Sequence, residues 1–133
     1  MAYLIDTDVL SAVLAMRPNL AVLRRLATVP PDEQTTSAVN AGQLLYGARR
    51  RRRPGLLERV EEVLGILAVV PFDEPAARVY ARLRADLAAA GTPLAEPELR
   101  IAATALAYGL TLVTGNERRF RCVPTLAIEN WLV

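Results

Sequence analysis

The sequence predicts an α/β fold, a three-layer α/β/α sandwich around a central, mainly parallel sheet. Short apolar runs such as residues 3–5 and 110–113 are typical of central parallel strands, because helices cover both faces of such strands. Stretches with helical spacing of apolar residues alternate with these runs, as in a parallel sheet joined by helical crossovers. Since no repeat, linker or low-complexity segment divides the 133 residues, we expect one domain over residues 1–133.

The first half of the chain predicts two strands and three helices. Residues 3–5 form an apolar run directly before two acids, and residues 34–37 form a short β-permissive run. Ser37 is a suitable N-cap for the helix that follows it. The predicted helices of this half are residues 9–16, 20–27 and 38–52.

The second half predicts three helices and three further strands. Asp73 is a suitable N-cap, with Pro75 in the first turn, for a helix that ends at Gly91. Pro97 fits the first position of a helix that ends at Gly109. The remaining predicted elements are a helix over residues 56–66 and strands over residues 67–72, 110–113 and 126–128. Trp131 is expected to anchor the end of the chain.

Composition excludes several kinds of chemistry. The chain contains no His and a single cysteine, Cys122, so zinc sites, Ser–His–Asp triads and histidine-based acid–base catalysis are ruled out. The absence of Lys removes Schiff-base and Walker-type chemistry. No apolar run approaches the length of a membrane span, and the first residues do not form a signal sequence, so we expect a cytoplasmic protein with no membrane contact.

Polar residues follow two of the predicted strands. Asp6 and Asp8 come directly after residues 3–5, and Thr114 and Asn116 follow residues 110–113. Ligands of open α/β sheets bind at the carboxyl ends of the strands, where these residues are expected to meet. Two alternatives stay open, since Asp is also a common helix cap and Asn a common turn residue.

Two further polar residues lie on predicted helices. Gln43 shares a helix face with Val39 and Gly47, although a solvent-facing glutamine would show the same spacing. Glu98 begins an apolar stripe that includes Ile101, which favours a role in a site over simple stabilisation of the helix dipole.

The sixteen basic residues are all Arg, and several are clustered. Residues 49–53 are five consecutive arginines, and repulsion between them makes stabilisation of a helix end a poor explanation. A surface that binds phosphate or a partner is the functional interpretation, and a solvated helix end the alternative. The candidate nucleic-acid-binding residues are Arg49, Arg50, Arg51, Arg118 and Arg119.

Taken together, several motifs resemble a PIN domain, specifically the toxin ribonuclease of VapBC-type toxin–antitoxin pairs. The resemblance covers nearly the whole chain, and each motif alone would be weak. The motifs are YLIDTDVLS at residues 3–11, SAV at 37–39, QLLYGA at 43–48, IAATALA at 101–107, LVTGN at 112–116 and IENWL at 128–132.

The resemblance implies an endoribonuclease that uses Mg²⁺ or Mn²⁺ held by acidic residues. Such a cation lowers the pKa of its bound water, so no imidazole base is required. By position, Asp6 matches the first acid of the family, Asn116 matches a position that is Asp or Asn in relatives, and Thr114 matches a hydroxyl of the site. Gln43 stands where the family usually has Glu, and Glu98 where it usually has Asp.

These two departures imply weaker activity. Gln43 lacks the charge of Glu, and Glu98 reaches one methylene further than Asp. Mn²⁺ tolerates such changes better than octahedral Mg²⁺ does. The metal ligands implied are Asp6, Glu98 and Asn116, with Asp8 and Glu117 as auxiliary candidates.

The resemblance also implies partners and leaves two alternatives. The implied partners are an RNA substrate, a VapB-like antitoxin and a second copy of the chain in a homodimer. One alternative is a catalytically weak or inactive module that binds RNA or the antitoxin. The other is a haloacid-dehalogenase-like phosphatase, because Asp6-Thr7-Asp8-Val9 resembles the first motif of that family, although its Lys and its later acidic pair are not evident.

Overall fold

A five-stranded parallel sheet forms the centre of the protein in a computed structural model, which describes residues 2–133. The strands are β1 Tyr3–Ile5, β2 Gln34–Ser37, β3 Ala68–Val70, β4 Thr111–Val113 and β5 Ile128–Glu129. Their order in the sheet is β3-β2-β1-β4-β5, and every neighbouring pair is parallel. The carboxyl ends of all five strands therefore lie at one edge of the sheet.

Helices cover both faces of the sheet. Leu4 and Ile5 are fully buried neighbours in β1, and their side chains point to opposite faces because successive residues of a strand alternate. Ile5 packs in a core with residues of the first four helices, whereas Leu4 packs in a second core with residues of the last three. The helices are α1 Thr7–Leu14, α2 Leu20–Thr28, α3 Ala38–Arg51, α4 Leu56–Ile66, α5 Glu74–Ala90, α6 Glu96–Ala107 and α7 Glu117–Phe120. The predicted three-layer α/β/α fold is confirmed.

The predicted boundaries of three strands and of the first helix differ from the structure. The fourth strand begins at Thr111 and not at residue 110, and the first helix is Thr7–Leu14 and not residues 9–16, because Asp6 caps it. The third strand stops at Val70 and not at residue 72, because Pro71 has no N–H to donate to a neighbouring strand. The last strand is Ile128–Glu129 and not residues 126–128. Thr125 before it adopts a positive φ of 64°, which an extended strand does not allow.

Two short elements were not predicted. Residues 31–33 form one turn of 3₁₀ helix, and α7 has only four residues, too few for a periodic pattern. The expected anchoring role of Trp131 is confirmed, since its buried ring packs edge-on against Tyr3 with 5.1 Å between the ring centroids. None of the helices within residues 2–133 has the length and apolar character needed to cross a membrane.

Candidate active site

Asp6 lies at the carboxyl end of β1 and is held by three donors. It caps α1 by accepting a hydrogen bond from the Thr7 backbone N–H at 2.8 Å. The same oxygen, Oδ1, accepts from Asn40 Nδ2 at 2.8 Å, and Oδ2 accepts from the Thr114 hydroxyl at 2.8 Å. Only 8% of the residue is exposed. The Asp6 carboxylate thus caps α1 and is also the predicted site residue. Its hydrogen bonds fix its position, and water has little access to it.

Asn40 is a site residue that the sequence analysis missed. It lies in the first turn of α3 and is completely buried. Its Nδ2 donates to Asp6 and, at 2.8 Å, to the Thr7 hydroxyl, while its Oδ1 accepts from the Ser37 hydroxyl at 2.6 Å. The sequence feature that could have identified Asn40 is its position three residues after the N-cap Ser37, on the same helix face as Gln43.

Gln43 faces the site and not the solvent. It is half-buried, and its Oε1 accepts a short hydrogen bond from the Thr7 hydroxyl. Asn40, Thr7 and Gln43 therefore form a chain of donors and acceptors beside Asp6. The Gln43 side chain thus lies at the predicted site, and its carbonyl oxygen already accepts a hydrogen bond.

Glu98 and Asn116 contact each other, and Thr114 connects them to Asp6. Glu98 lies in the first turn of α6, and its side chain is 18% exposed. Its Oε2 accepts from Asn116 Nδ2 at 3.5 Å, and the Asn116 backbone N–H donates to the Thr114 hydroxyl at 3.0 Å. Thr114 thus links Asn116 to Asp6, and the four predicted positions belong to one connected network.

Contacts with α5 hold the start of α6 that carries Glu98. Glu96 accepts a hydrogen bond from the Tyr80 hydroxyl, and the guanidinium groups of Arg84 and Arg100 lie 3.6 and 3.5 Å from its carboxylate. The bond from Tyr80, followed by the two arginines, lowers the pKa of Glu96. These contacts fix the helix turn on which Glu98 depends.

Asp8 joins α1 to the loop after β4. Its Oδ2 accepts from the Gly115 backbone N–H at 2.8 Å. Partial burial, and after it the charge of Asp6, raise the pKa of Asp8, although one side of the residue stays open to solvent. A Cβ at Gly115 would lie 2.3 Å from Leu132 Cδ1 and 2.8 Å from this Asp8 oxygen, so a larger residue here would force these two side chains to move.

Glu117, the other auxiliary candidate, pairs with Arg121, the C-cap of its own short helix. Its Oε2 lies 3.8 Å from Arg121 Nη2. The structure therefore gives both auxiliary candidates partners of their own.

The site offers a divalent cation the right kind of atom but little charge. Its side chains present carboxylate, amide and hydroxyl oxygens, the hard ligands that Mg²⁺ and Mn²⁺ prefer. Among residues 2–133, however, no three or more His, Cys, Asp or Glu side chains are grouped so as to hold a metal ion. Two of the four positions are amides, Gln43 and Asn116, which offer oxygen ligands without negative charge. The residues fit a divalent cation in ligand type and favour weak affinity.

A cleft of about 350 Å³ leads from the site towards the arginine cluster. Thr7 and Gln43 line one part of it, and Tyr46, Arg50 and Arg51 line another. In the part of the chain that the structure describes, Arg49, Arg50 and Arg51 contact no carboxylate. In the second cluster, Arg118 is exposed and Arg119 contacts Glu98.

Comparison with known proteins identifies the family. Residues 3–125 match the PIN domain family. This chain is a PIN-domain protein. It is 30% identical over 131 residues to the protein named ribonuclease VapC2 of Haemophilus influenzae, with 98% of each chain covered. It is also 30% identical over 130 residues to the tRNA(fMet)-specific endonuclease VapC of Salmonella typhimurium, with 97% of each chain covered.

A solved structure shows the same PIN fold throughout. The VapBC complex of Salmonella typhimurium, solved bound to DNA, contains a chain that superposes with a TM-score of 0.90 at 30% identity, covering 98% of both chains. The resemblance to a PIN domain of VapC type is thereby confirmed. Membership of this family replaces the haloacid-dehalogenase interpretation, since the Asp6 motif belongs to a PIN domain.

Proposed function

We propose that this PIN-domain protein is an endoribonuclease, the toxin of a toxin–antitoxin pair. The observation that carries the proposal is the Asp6 carboxylate, fixed by three donors at the carboxyl edge of the sheet and linked through Thr114 to Asn116 and Glu98. The names of relatives that match almost the whole chain support the same activity. The reaction is hydrolysis of an RNA phosphodiester, in which the oxygen of water bonds to phosphorus, one P–O ester bond breaks and the leaving oxygen takes up a proton.

Asp6, Glu98 and Asn116 are the residues that would hold Mg²⁺ or Mn²⁺. The bound cation would lower the pKa of water and neutralise charge on the phosphate. Within the chain itself, Asn40 and Thr114 keep the Asp6 carboxylate oriented and deprive it of rotational freedom. Such preorganisation avoids reordering the site when substrate binds. Because Gln43 contributes no charge, we propose that activity is attenuated and that Mn²⁺ supports it better than Mg²⁺.

The cleft beside the site is the proposed path of the RNA chain. Arg50 and Arg51 line this cleft, and Arg49 precedes them on α3. Within residues 2–133 all three are exposed and contact no carboxylate, which leaves them available to neutralise phosphates. Tyr46 is largely exposed in the same cleft, where its ring is available to stack on a base. Arg118 would extend the basic surface on the side of α7.

We propose two protein partners, a VapB-like antitoxin and a second copy of the chain. The Salmonella relative's complex carries the name VapBC, which supports the antitoxin. Met16, Leu20 and Leu23 are exposed apolar side chains at α1 and α2 and would gain by being covered. A symmetric dimer is the commonest way to cover such a patch with a second copy.

One observation favours the alternative of a binding module with little or no catalysis. The carbonyl oxygen of Gln43 already accepts the Thr7 hydroxyl, so the residue at the position of the usual acid is satisfied without a cation. If this arrangement prevents cleavage, the basic cleft would still bind RNA.

The test is RNA cleavage by the purified protein in Mg²⁺, Mn²⁺ or EDTA, beside Asp6→Asn and Gln43→Glu. We expect weak, Mn²⁺-dependent cleavage that is lost in Asp6→Asn and increases at least tenfold in Gln43→Glu. Cleavage by Gln43→Glu alone would favour the binding module. If neither protein cleaves any RNA of a structured and single-stranded panel, the assignment of a nuclease site is wrong.

A further inference from the structure

We infer that Arg119 is a built-in counter-ion that competes with a divalent cation for Glu98 and thereby sets the metal affinity of the site. The inference rests on the proposed function, because it concerns the same carboxylate. Arg119 Nη2 lies 2.7 Å from Glu98 Oε1, the shortest ion pair that the structure gives within residues 2–133. The carboxylate is mostly covered, whereas the arginine side chain is 51% exposed.

Both oxygens of Glu98 already accept hydrogen bonds. Oε1 accepts from Arg119 and from the Ala95 backbone N–H at 3.3 Å, and Oε2 accepts from Asn116 Nδ2 at 3.5 Å. A cation that takes Glu98 as a ligand must therefore displace or approach a guanidinium. Because like charges repel most strongly where water is partly excluded, Arg119 opposes the cation in both cases.

The position of Arg119 is set by α7 and its neighbours. The Arg119 backbone N–H donates to the Asn116 carbonyl at 3.1 Å, and its own carbonyl accepts from the Cys122 thiol at 3.3 Å. The backbone that carries the guanidinium is thus fixed, and the guanidinium lies against the predicted ligand Glu98.

The exposed face of Arg119 gives the ion pair a use beyond stability. A pair that is half open to solvent stabilises a fold little. A guanidinium also has donors left over after one carboxylate is bound, and it binds phosphate with the same planar geometry. A phosphate of RNA that takes Arg119 would release Glu98, so phosphate and cation would each strengthen the binding of the other.

The test is direct titration of Mn²⁺ into the protein, with free Mn²⁺ followed by electron paramagnetic resonance. Arg119→Gln is expected to bind Mn²⁺ about threefold to tenfold more tightly than the unaltered protein, as expected for removing one nearby, partly screened charge. Arg119→Lys keeps the charge and should retain the weak affinity. Arg118→Gln removes the same charge from the same helix without a contact to Glu98, and should change the affinity less than twofold.

A second pair of variants shows whether Glu98 carries the effect. In a Glu98→Gln background, Arg119→Gln should leave Mn²⁺ affinity unchanged, because the competition has lost its carboxylate. Thermal unfolding of each variant checks that the fold is intact. Equal effects of Arg119→Gln and Arg118→Gln would overturn the inference, and so would tightening that persists in Glu98→Gln or absence of Mn²⁺ binding in every variant. The titration needs no RNA cleavage. Tighter Mn²⁺ binding by Arg119→Gln in a protein without nuclease activity would therefore refute the proposed function and leave the competition between Arg119 and the cation standing.

Discussion

Replacing Asn40 by Ala tests whether a buried amide holds the Asp6 carboxylate in place. The change removes one hydrogen bond to a charged acceptor and two to hydroxyl groups, all within a fully buried position. Bonds to charged groups contribute roughly 1.5–3 kcal/mol and neutral ones roughly 0.5–1.5 kcal/mol. Since Asp6 keeps its bonds from Thr7 and Thr114, we expect a net loss of about 3 kcal/mol in the free energy of unfolding. For a domain of this size, that corresponds to a fall in Tm of roughly 10 °C.

Two variants make the assay of Asn40 specific. Asn40→Asp keeps the shape but places a second carboxylate against Asp6, so it should destabilise the protein more at neutral pH than in acid. Asn19→Ala is the matched control, because Asn19 is an N-cap of α2 whose loss should cost about 1 kcal/mol without changing RNA cleavage. Tm by calorimetry and cleavage in Mn²⁺ are both measured. A Tm of Asn40→Ala no lower than that of Asn19→Ala would refute the view that Asn40 supports the site.

Three further changes test other contacts. Gly115→Ala should lower the free energy of unfolding by about 1–3 kcal/mol in urea titrations, and Leu132→Ala should relieve part of that loss, because the new Cβ would overlap Leu132. Burial raises the pKa of Asp8 above its ordinary 3.8, so the contribution of this side chain to stability falls as pH rises through that higher pKa. Asp8→Asn should therefore raise Tm relative to the unaltered protein at pH 7, but not at roughly pH 3. Unchanged Tm differences across pH would contradict this. Replacing Arg50 and Arg51 by Ala should weaken RNA binding and reduce the salt dependence of log K by roughly 0.7 per lost phosphate contact, and an unchanged slope would remove these residues from the RNA path.

Local sequence patterns predicted the helices and strands, because burial of one face of an element gives a regular spacing of apolar residues within it. The alternation of apolar runs and helical stretches was enough for the sheet and its helices. It was also enough to place Asp6 and Asn116 at one edge, since parallel strands share that edge. Glu98 was predicted to begin a buried stripe, and Ile101 and Ala102 are indeed buried behind it.

No local sequence pattern predicted which side chains the site residues contact. Asn40 meets Asp6 across 34 positions of sequence, Thr7 meets Gln43 across 36, and Arg119 meets Glu98 across 21. Helical spacing states which face of a helix is buried, but not which side chain from another element it meets. Asn40 was therefore indistinguishable from an ordinary residue of a first helical turn, and Arg119 from a surface arginine.

The contacts of the site also explain why binding there is a competition. Throughout residues 2–133, no buried side-chain nitrogen or oxygen lacks a hydrogen-bond partner. Asp6 is satisfied by amide and hydroxyl donors, Gln43 by Thr7, and Glu98 by Arg119. Asp6 can keep its neutral donors when a cation takes a remaining lone pair, whereas a cation that takes Glu98 must displace or approach the Arg119 guanidinium. At Glu98, the affinity is therefore the difference between the new contact and the one that is lost or opposed. Because the bonds of Asp6 come from neutral donors and that of Glu98 from a cation, the exchange is most sensitive to charge at Glu98.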